Sequence, residues 1–588
     1  MPASRNSARL LAGLLLFGVA TGADAQTPAP VPTPPKPATA LGPPIPLAPA
    51  GAPLAPPTAA AAPATATTAA AGALGATPLA APDADEAGAL PAAVKALPST
   101  LWAGTGRNIV DALLGQVVPT TSPALQDLAF RLIASPAALP AGPAAPGALL
   151  AVRAAQLLTL GHTEAALVLL RTVPPVQMIS DAGQVMVELL FLNQDQTNAC
   201  AAVKSRQPSW QGMFWDEAQV TCALLAGQST PAQVGIDLLN EDGAASGFSA
   251  LVSRASGFDV PAPQELPAPQ PLSLALIAKA GKGLPPSILT TGSLAVLRSV
   301  AQTPGFPQDA RLIAAEKAAA FGALPPETLA EAYLALPLDN DERAAPMNAA
   351  LHTNAVRARA ILFNAARDAS DPTARAQYLG VFLEKSSDAG LYAVAVRAAK
   401  PLLLSLPATP DRRADAVDMA RALYALDLPA AARPWFDLLP PGGQQQFLPL
   451  AAIVGGDQAP AWGNAVMLDP GLAAGDATTA AVNRAALAAG LLIALGRPAP
   501  AAATLPLLAE GGAVTWQAPA AGPPVLVRSA AQRHELGGAL LGLLASLGSA
   551  GAGAPPPLVI DAVAALHQLG LETEARALAI DAAIAAGL

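Results

Sequence analysis

From about residue 98 to the end of the chain, apolar residues recur at helical spacing in segments punctuated by Gly and Pro. Side chains three and four apart share one face of a 3.6-residue turn, so the pattern predicts amphipathic helices. No stretch sustains the alternation of β-branched and polar residues that marks a half-buried strand. The fold class expected is all-α. Proline interrupts the pattern at "FDVPAPQELPAPQP" (258–271), a linker expected to separate a helical region at 98–257 from a longer one at 272–588.

Ahead of residue 98 the periodicity is lost. Residues 26–97 have almost no large apolar side chains, and Lys36 is their only charge before Asp83. Such a stretch buries too little surface to offset its ordering entropy, so a disordered Pro/Ala-rich linker is expected, extended by its prolines. Its Thr-Ala-Ala triplets superficially resemble antifreeze glycopeptide repeats, but they are too few and irregular to carry that activity. At the start of the chain, Arg5 and Arg9 precede the apolar run Leu10–Gly22 and then "ADAQ". That order predicts a signal peptide at 1–25, cleaved after Ala25. The apolar run of 13 residues is shorter than the roughly 20 needed to span a bilayer. Gln26 stands where a lipoprotein has cysteine, and the alanine- and proline-heavy usage implies a GC-rich bacterial genome. The expected location is the periplasm.

A single step recurs along the helical region. "LGHTEAALVLL" begins at Leu160, "AGQSTPAQVGIDLL" at Ala226, "LDLPAAARPWFDLL" at Leu426, "LGRPAPAAATLPLL" at Leu495 and "LGLETEARALAIDAA" at Leu569. Each ends a helix and turns at Gly161, Gly227, Asp427, Gly496 or Gly570. Each then has alanine five residues on, at Ala166, Ala232, Ala432, Ala501 or Ala575. A glycine tolerates the left-handed conformation at a helix end, and an alanine on the next helix lets the pair approach closely. This Gly-x-x-x-x-Ala step resembles the tetratricopeptide (TPR) family. The family's second alanine, seven residues on, is matched at Ala582 but is Val173, Leu239, Leu439 and Leu508 elsewhere. The intervals 161 to 227, 427 to 496 and 496 to 570 are 66, 69 and 74 residues, near twice the family's repeat. The resemblance implies a solenoid of helical hairpins.

The chain has two cysteines, Cys200 and Cys222, on either side of the turn "QPSWQG" at 207–212. Cys200 lies eight residues before Pro208 and Cys222 ten after Gly212, which is roughly 12 and 15 Å along two helices. Similar height on antiparallel neighbours predicts a disulfide, and an oxidising compartment preserves it. No histidine lies close enough in sequence for a metal site, and the spacing is not the C-x-x-C of redox enzymes.

Charge narrows the partners. The precursor carries −9, and losing Arg5, Arg9 and Asp24 (net +1) leaves −10 on the mature chain. An acidic chain without a Lys/Arg run has no electrostatic footprint for nucleic acid. Aromatics are only 4% of residues, so alanine supplies much of the 52% hydrophobic fraction. The longest uncharged stretch, 537–560, is broken by glycines and three prolines, so no span is expected after the signal peptide.

Catalytic patterns are missing. His534 opens "HEL", but Gly538 stands where a zincin's second histidine belongs, and His162, His352 and His567 are scattered. "GTG" at 104–106 and "GSAGAG" at 548–553 follow no strand, and no G-x-S-x-G elbow occurs. The pairs Asp339/Asp341 and Asp216/Glu217 fall at helix starts, where they favour the helix dipole as capping or solvated groups. Trp210, Phe214, Trp215 and Trp435 read as hairpin core. No catalytic, cofactor-binding or metal residue is assigned. The expected function is a non-enzymatic scaffold for an unidentified envelope protein, in an envelope or flagellar assembly. The alternative is a ligand- or peptidoglycan-binding module like the superhelical platform of lytic transglycosylases, without their catalytic domain.

Overall fold

The computed structural model describes residues 83–241, 246–268, 270–281, 283–455, 479–497 and 522–588. The signal peptide, the linker as far as residue 82 and the Ala501 position lie outside these residues. Within them the protein is all-α, with no strand and a single isolated bridge between Gly106 and Ala141. The first half runs through α1 (Arg107–Leu113), α2 (Pro123–Ala134), α3 (Ala148–Thr159), α4 (Thr163–Leu170) and α5 (Ser180–Leu192). It continues with α6 (Gln196–Lys204), α7 (Met213–Leu225), α8 (Ser229–Glu241), α9 (Ser246–Ala255) and α10 (Gln270–Ala280).

α2 shows why these segments are helical. Ser122 caps it by accepting from the Leu125 amide at 3.4 Å, and Pro123 occupies the first turn, where no amide donor is needed. Leu125, Leu128, Leu132 and Ile133 form its buried stripe. Pro136, just beyond the Ser135 cap, stops the helix.

The recurring turns take the predicted conformation. Gly161, Gly227, Asp427, Gly496 and Gly570 have φ of 81°, 75°, 56°, 71° and 76°. At Gly161 the His162 amide reaches back to the Leu157 carbonyl (2.8 Å) and the Gly161 amide to Leu158 (3.0 Å), the paired bonds of a Schellman turn. Ala166, Ala232, Ala432 and Ala575 are each at most 1% exposed, so methyl-sized side chains do set the approach of paired helices. Further turns of this kind escaped the sequence pattern. Gln194, midway between Gly161 and Gly227, has φ 62°, and His534, between Gly496 and Gly570, has φ 57°. Both lack the glycine that marks the motif.

Two expected boundaries are corrected. Residues 83–97 belong to the folded body rather than to a disordered linker. Asp85 accepts from the Gly147 amide (3.0 Å) and the Leu150 amide (2.6 Å), capping α3 from a distant segment of the chain. Arg153 of α3 donates to the Asp85 carbonyl at 2.9 Å, while Ala89 and Leu97 are buried. Composition cannot reveal such bonds, because they depend on one carboxylate and on backbone groups. The Pro-rich segment 258–271 does not divide the helical region either, since the described residues on both sides of it fall in one compact unit. Leu266 is buried, Ser273 bonds the Pro267 carbonyl at 2.8 Å, and α9 packs on α10.

The array also departs from an open solenoid, in which each hairpin touches only its sequence neighbours. α10 packs on α5 and α7, and the helix Leu294–Gln302 on α3 and α5. The last helices return to the first described ones. Gly537 and Gly538 donate to the Leu101 carbonyl and the Thr105 hydroxyl, both at 2.9 Å. The last helix, Glu572–Ala585, lies on α2. There Asp581 accepts from the Ser122 hydroxyl (2.6 Å) and the Ala124 amide (2.9 Å), and Glu574 pairs with Arg131 at 2.6 Å. Leu536–Gly553 is long and apolar enough to cross a membrane by length and composition alone. Its regular helix ends at Leu547, however, and 56% of the segment is buried in the fold.

Chains begun at residue 83 and at residue 98 will differ in stability, because the later start removes the α3 cap together with Ala89 and Leu97. Asp85→Ala alone is expected to cost about 1–3 kcal/mol, the penalty for leaving buried amides unpaired. Thermal and denaturant unfolding of the three variants provides the check; equal stability of both truncations would return 83–97 to the linker.

Candidate functional site

The cysteine pair is joined. Cys200 in α6 and Cys222 near the end of α7 form a disulfide of 2.02 Å with Cα atoms 5.5 Å apart, and no free cysteine occurs among the described residues. The turn between them is fixed by aromatic packing. Trp210 and Phe214 contact the Trp215 ring with centroids 5.2 and 5.1 Å apart. Gly183 of α5 lies so close to Trp210 that an added Cβ would fall 2.4 Å from the ring. Trp215 is 2% exposed and its indole donates to Ser180 at 3.3 Å. Trp215 and Trp435 are core, whereas Trp210 and Phe214 are half-buried and pack against it.

Of the carboxylate pairs, Asp339 is a cap, sharing a capping box with Glu342. Asp216 is exposed, but Glu217 is not the solvated group its position implied. It is 3% exposed, and burial, reinforced by the Asp216 charge, pushes its carboxyl up to about 7. The histidines stay apart. His534 is a turn residue, His352 bonds its own helix at Asn348, and His567 lies 2.6 Å from Glu572. Among the described residues no three His, Cys, Asp or Glu side chains gather as a metal site.

His162 sits in a cavity, which sequence reasoning missed. The space, of about 630 Å³, opens between α2, α4, the strip 89–94, the turn after the helix Gln308–Ala320, and the helix Tyr392–Ala398. Its walls come from positions up to about 300 residues apart, so no local motif signals it. The Gly161 turn abuts the neighbouring turn closely, since a Cβ there would lie 2.3 Å from the Ala323 methyl. Leu90, Val94, Phe130, Val168, Leu324 and Val394 supply apolar wall.

The polar groups of the lining divide into two sets. Asp127 is engaged by Arg131 (3.2 Å), and Glu164 by Arg298 (2.6 Å). Gln126 donates to the Thr120 and Ala320 carbonyls at 2.7 and 2.9 Å. The second set is unspent. The Thr163 hydroxyl and the Arg298 Nε are buried without a hydrogen-bond partner. Arg397 is exposed, and desolvation lowers its pKa despite the fields of Asp581, Asp127 and Glu327. Desolvation, with the Arg298 charge, drives His162 down to about 4, so its ring is neutral at pH 7. It packs against Phe130, with tilted rings whose centroids are 4.3 Å apart.

No protein-family model matches the chain, and no curated protein or solved structure does. The cavity and the disulfide hairpin therefore have to be read from their own chemistry.

Two outcomes follow. Replacing Cys200 and Cys222 with serine should cost on the order of 3 kcal/mol, the loop entropy of a closure near 20 residues, and non-reducing peptide maps of the parent should show the two peptides linked. Quantitative alkylation of both thiols without reductant would contradict the pairing. For Glu217 the folded carboxyl holds its proton more tightly than the unfolded one. Stability should therefore fall as pH rises from about 4.5 to about 7, then level off. Glu217→Gln should match the parent near pH 4 and exceed it by up to about 3 kcal/mol at pH 8, read from urea unfolding at each pH.

Proposed function

We propose that the protein is an exported, non-catalytic interaction platform, built of TPR-like helical hairpins behind a Pro/Ala-rich tether and serving an envelope protein in the periplasm. The series of left-handed turns, followed by a buried alanine at Ala166, Ala232, Ala432 and Ala575, supports this reading, because it repeats one hairpin unit along the chain. The disulfide supports the compartment, since such bonds persist in oxidising surroundings.

One hairpin surface is suited to a partner. α8 turns Ala232, Ile236 and Leu239 inward, yet Val234 and Leu238, one turn apart on its outer side, are 56% and 57% exposed. Exposed apolar pairs of this kind on a rigid helix are common elements of protein interfaces, where a few anchors carry most of the energy.

A photocrosslinker placed at Leu238 in growing cells should trap one or a few envelope proteins. Val234→Glu with Leu238→Glu should abolish capture while shifting stability by no more than about 1 kcal/mol, as surface changes do. Release of peptidoglycan fragments by the purified protein, lost on changing one carboxylate, would replace this reading with an enzymatic one.

A further inference from the structure

We infer that the cavity between α2, α4 and the helix Tyr392–Ala398 is a binding site for an uncharged, mostly apolar molecule that carries one hydroxyl group, with His162 as its hydrogen-bond partner. This does not depend on the protein partner proposed above.

The inference rests on the state of the His162 ring. A neutral imidazole has one donor and one acceptor nitrogen, and here neither bonds a described residue. The buried side-chain atoms that lack a partner lie on other residues, so the His162 nitrogens keep surface that a guest can reach. Two observations place that surface inside the cavity. His162 is a wall residue, with Phe130 packed against its ring. It is also only half-buried, yet desolvation, with the Arg298 charge, drives its pKa down to about 4. A ring open to bulk water titrates in the ordinary histidine range, whereas a ring open to an apolar recess is held neutral.

A second unspent group lies close by. Gln126 stands one turn before Phe130 on the same face of α2. Its amide nitrogen donates to the Thr120 and Ala320 carbonyls at 2.7 and 2.9 Å, while its oxygen accepts from no described residue. That oxygen lies against the wall residue Gly322, where an added Cβ would fall 2.7 Å from it. A hydroxyl group both accepts and donates, so it matches an imidazole N–H and an amide oxygen.

The charges of the lining set the valence of the guest. Asp127 is paired with Arg131 and Glu164 with Arg298, while the exposed Arg397 stands in the fields of Asp581, Asp127 and Glu327. These groups offset one another, and an ion moved from water into an apolar recess without a counter-charge loses its hydration uncompensated. An uncharged guest avoids that cost. Leu90, Val94, Phe130, Val168, Leu324 and Val394 then cover its apolar body. The volume of about 630 Å³ is that of an organic-ligand pocket.

Equilibrium dialysis of the whole mature chain at pH 7 tests this with one ring system in several forms: 2-naphthol, naphthalene, 2-naphthoate and 2-naphthylmethylammonium. Saturable binding of 2-naphthol is expected, about fivefold or more tighter than naphthalene. Both ions should bind at least tenfold more weakly than 2-naphthol, a loss of about 1.4 kcal/mol. His162→Phe keeps a ring beside Phe130 but has neither donor nor acceptor. It should bring 2-naphthol down to the affinity of naphthalene and leave naphthalene unchanged, which a loss of packing alone would not do. His162→Leu is the second variant, and the difference between naphthol and naphthalene must vanish in whichever of the two still binds naphthalene. The proposal is overturned if 2-naphthol fails to saturate up to ~1 mM, a floor of about 4 kcal/mol. Binding of either ion or of naphthalene as tightly as 2-naphthol overturns it too, as does a difference that survives in both variants.

Discussion

The docking of the last helix on α2 is the constraint on which the rest of the structure depends. A row of helical hairpins held only by its neighbours leaves both end hairpins with an uncovered face. Here each end covers the other. Asp581 places a carboxylate at the start of α2, where the free amides and the helix dipole favour a negative charge. Burial raises its pKa, while the Ser122 and Ala124 bonds and the Arg397 charge act in the opposite direction. The same carboxylate thus caps one helix, joins the two ends of the fold and helps to set the field in the cavity beside it.

Close approach is the second theme. The chain has few aromatic residues, and its core is largely leucine and alanine. Alanine lets helix backbones come near one another, so contact area comes from many thin interfaces rather than from large rings. The larger side chains are concentrated where geometry is demanding. Trp210 and Trp215 fix the turn of the disulfide hairpin, and Tyr333, Phe363 and Phe382 form a cluster with ring centroids 5.4–5.8 Å apart. Beside that cluster, Glu316 and Arg359 make a buried ion pair that the Tyr333 hydroxyl joins at 2.9 Å. Every member has a partner, which is what a buried polar group requires. Against that background, the Thr163 hydroxyl and the Arg298 Nε, buried without a partner, stand apart.

The cavity is assembled from segments far apart in sequence, between Ala89 and Arg397. Its polar groups were laid down for local reasons: Thr163 is the first residue of α4, and Arg298 holds the Ala323 carbonyl and Glu164. The Gly161 turn beside them is pressed against Ala323.

The helical class, the turns at Gly161, Gly227, Asp427, Gly496 and Gly570 and the cysteine pairing were all legible in the sequence, because each depends on local physics. Period, left-handed tolerance and rise per residue are properties of a few adjacent positions. The turns at Gln194 and His534 were not legible, since side chains with an intrinsic cost in that conformation are held there by tertiary packing. Nor was the place of residues 83–97, which look like linker by composition until Asp85 finds the amides of α3. Glu217 looked like a dipole-stabilising surface acid, and only the packing of α7 against its neighbours shows it buried. The cavity lay furthest from sequence reading. A chain specifies its short-range contacts by spacing, but which distant surfaces meet, and which donors remain unspent when they do, is decided only by the closed tertiary structure.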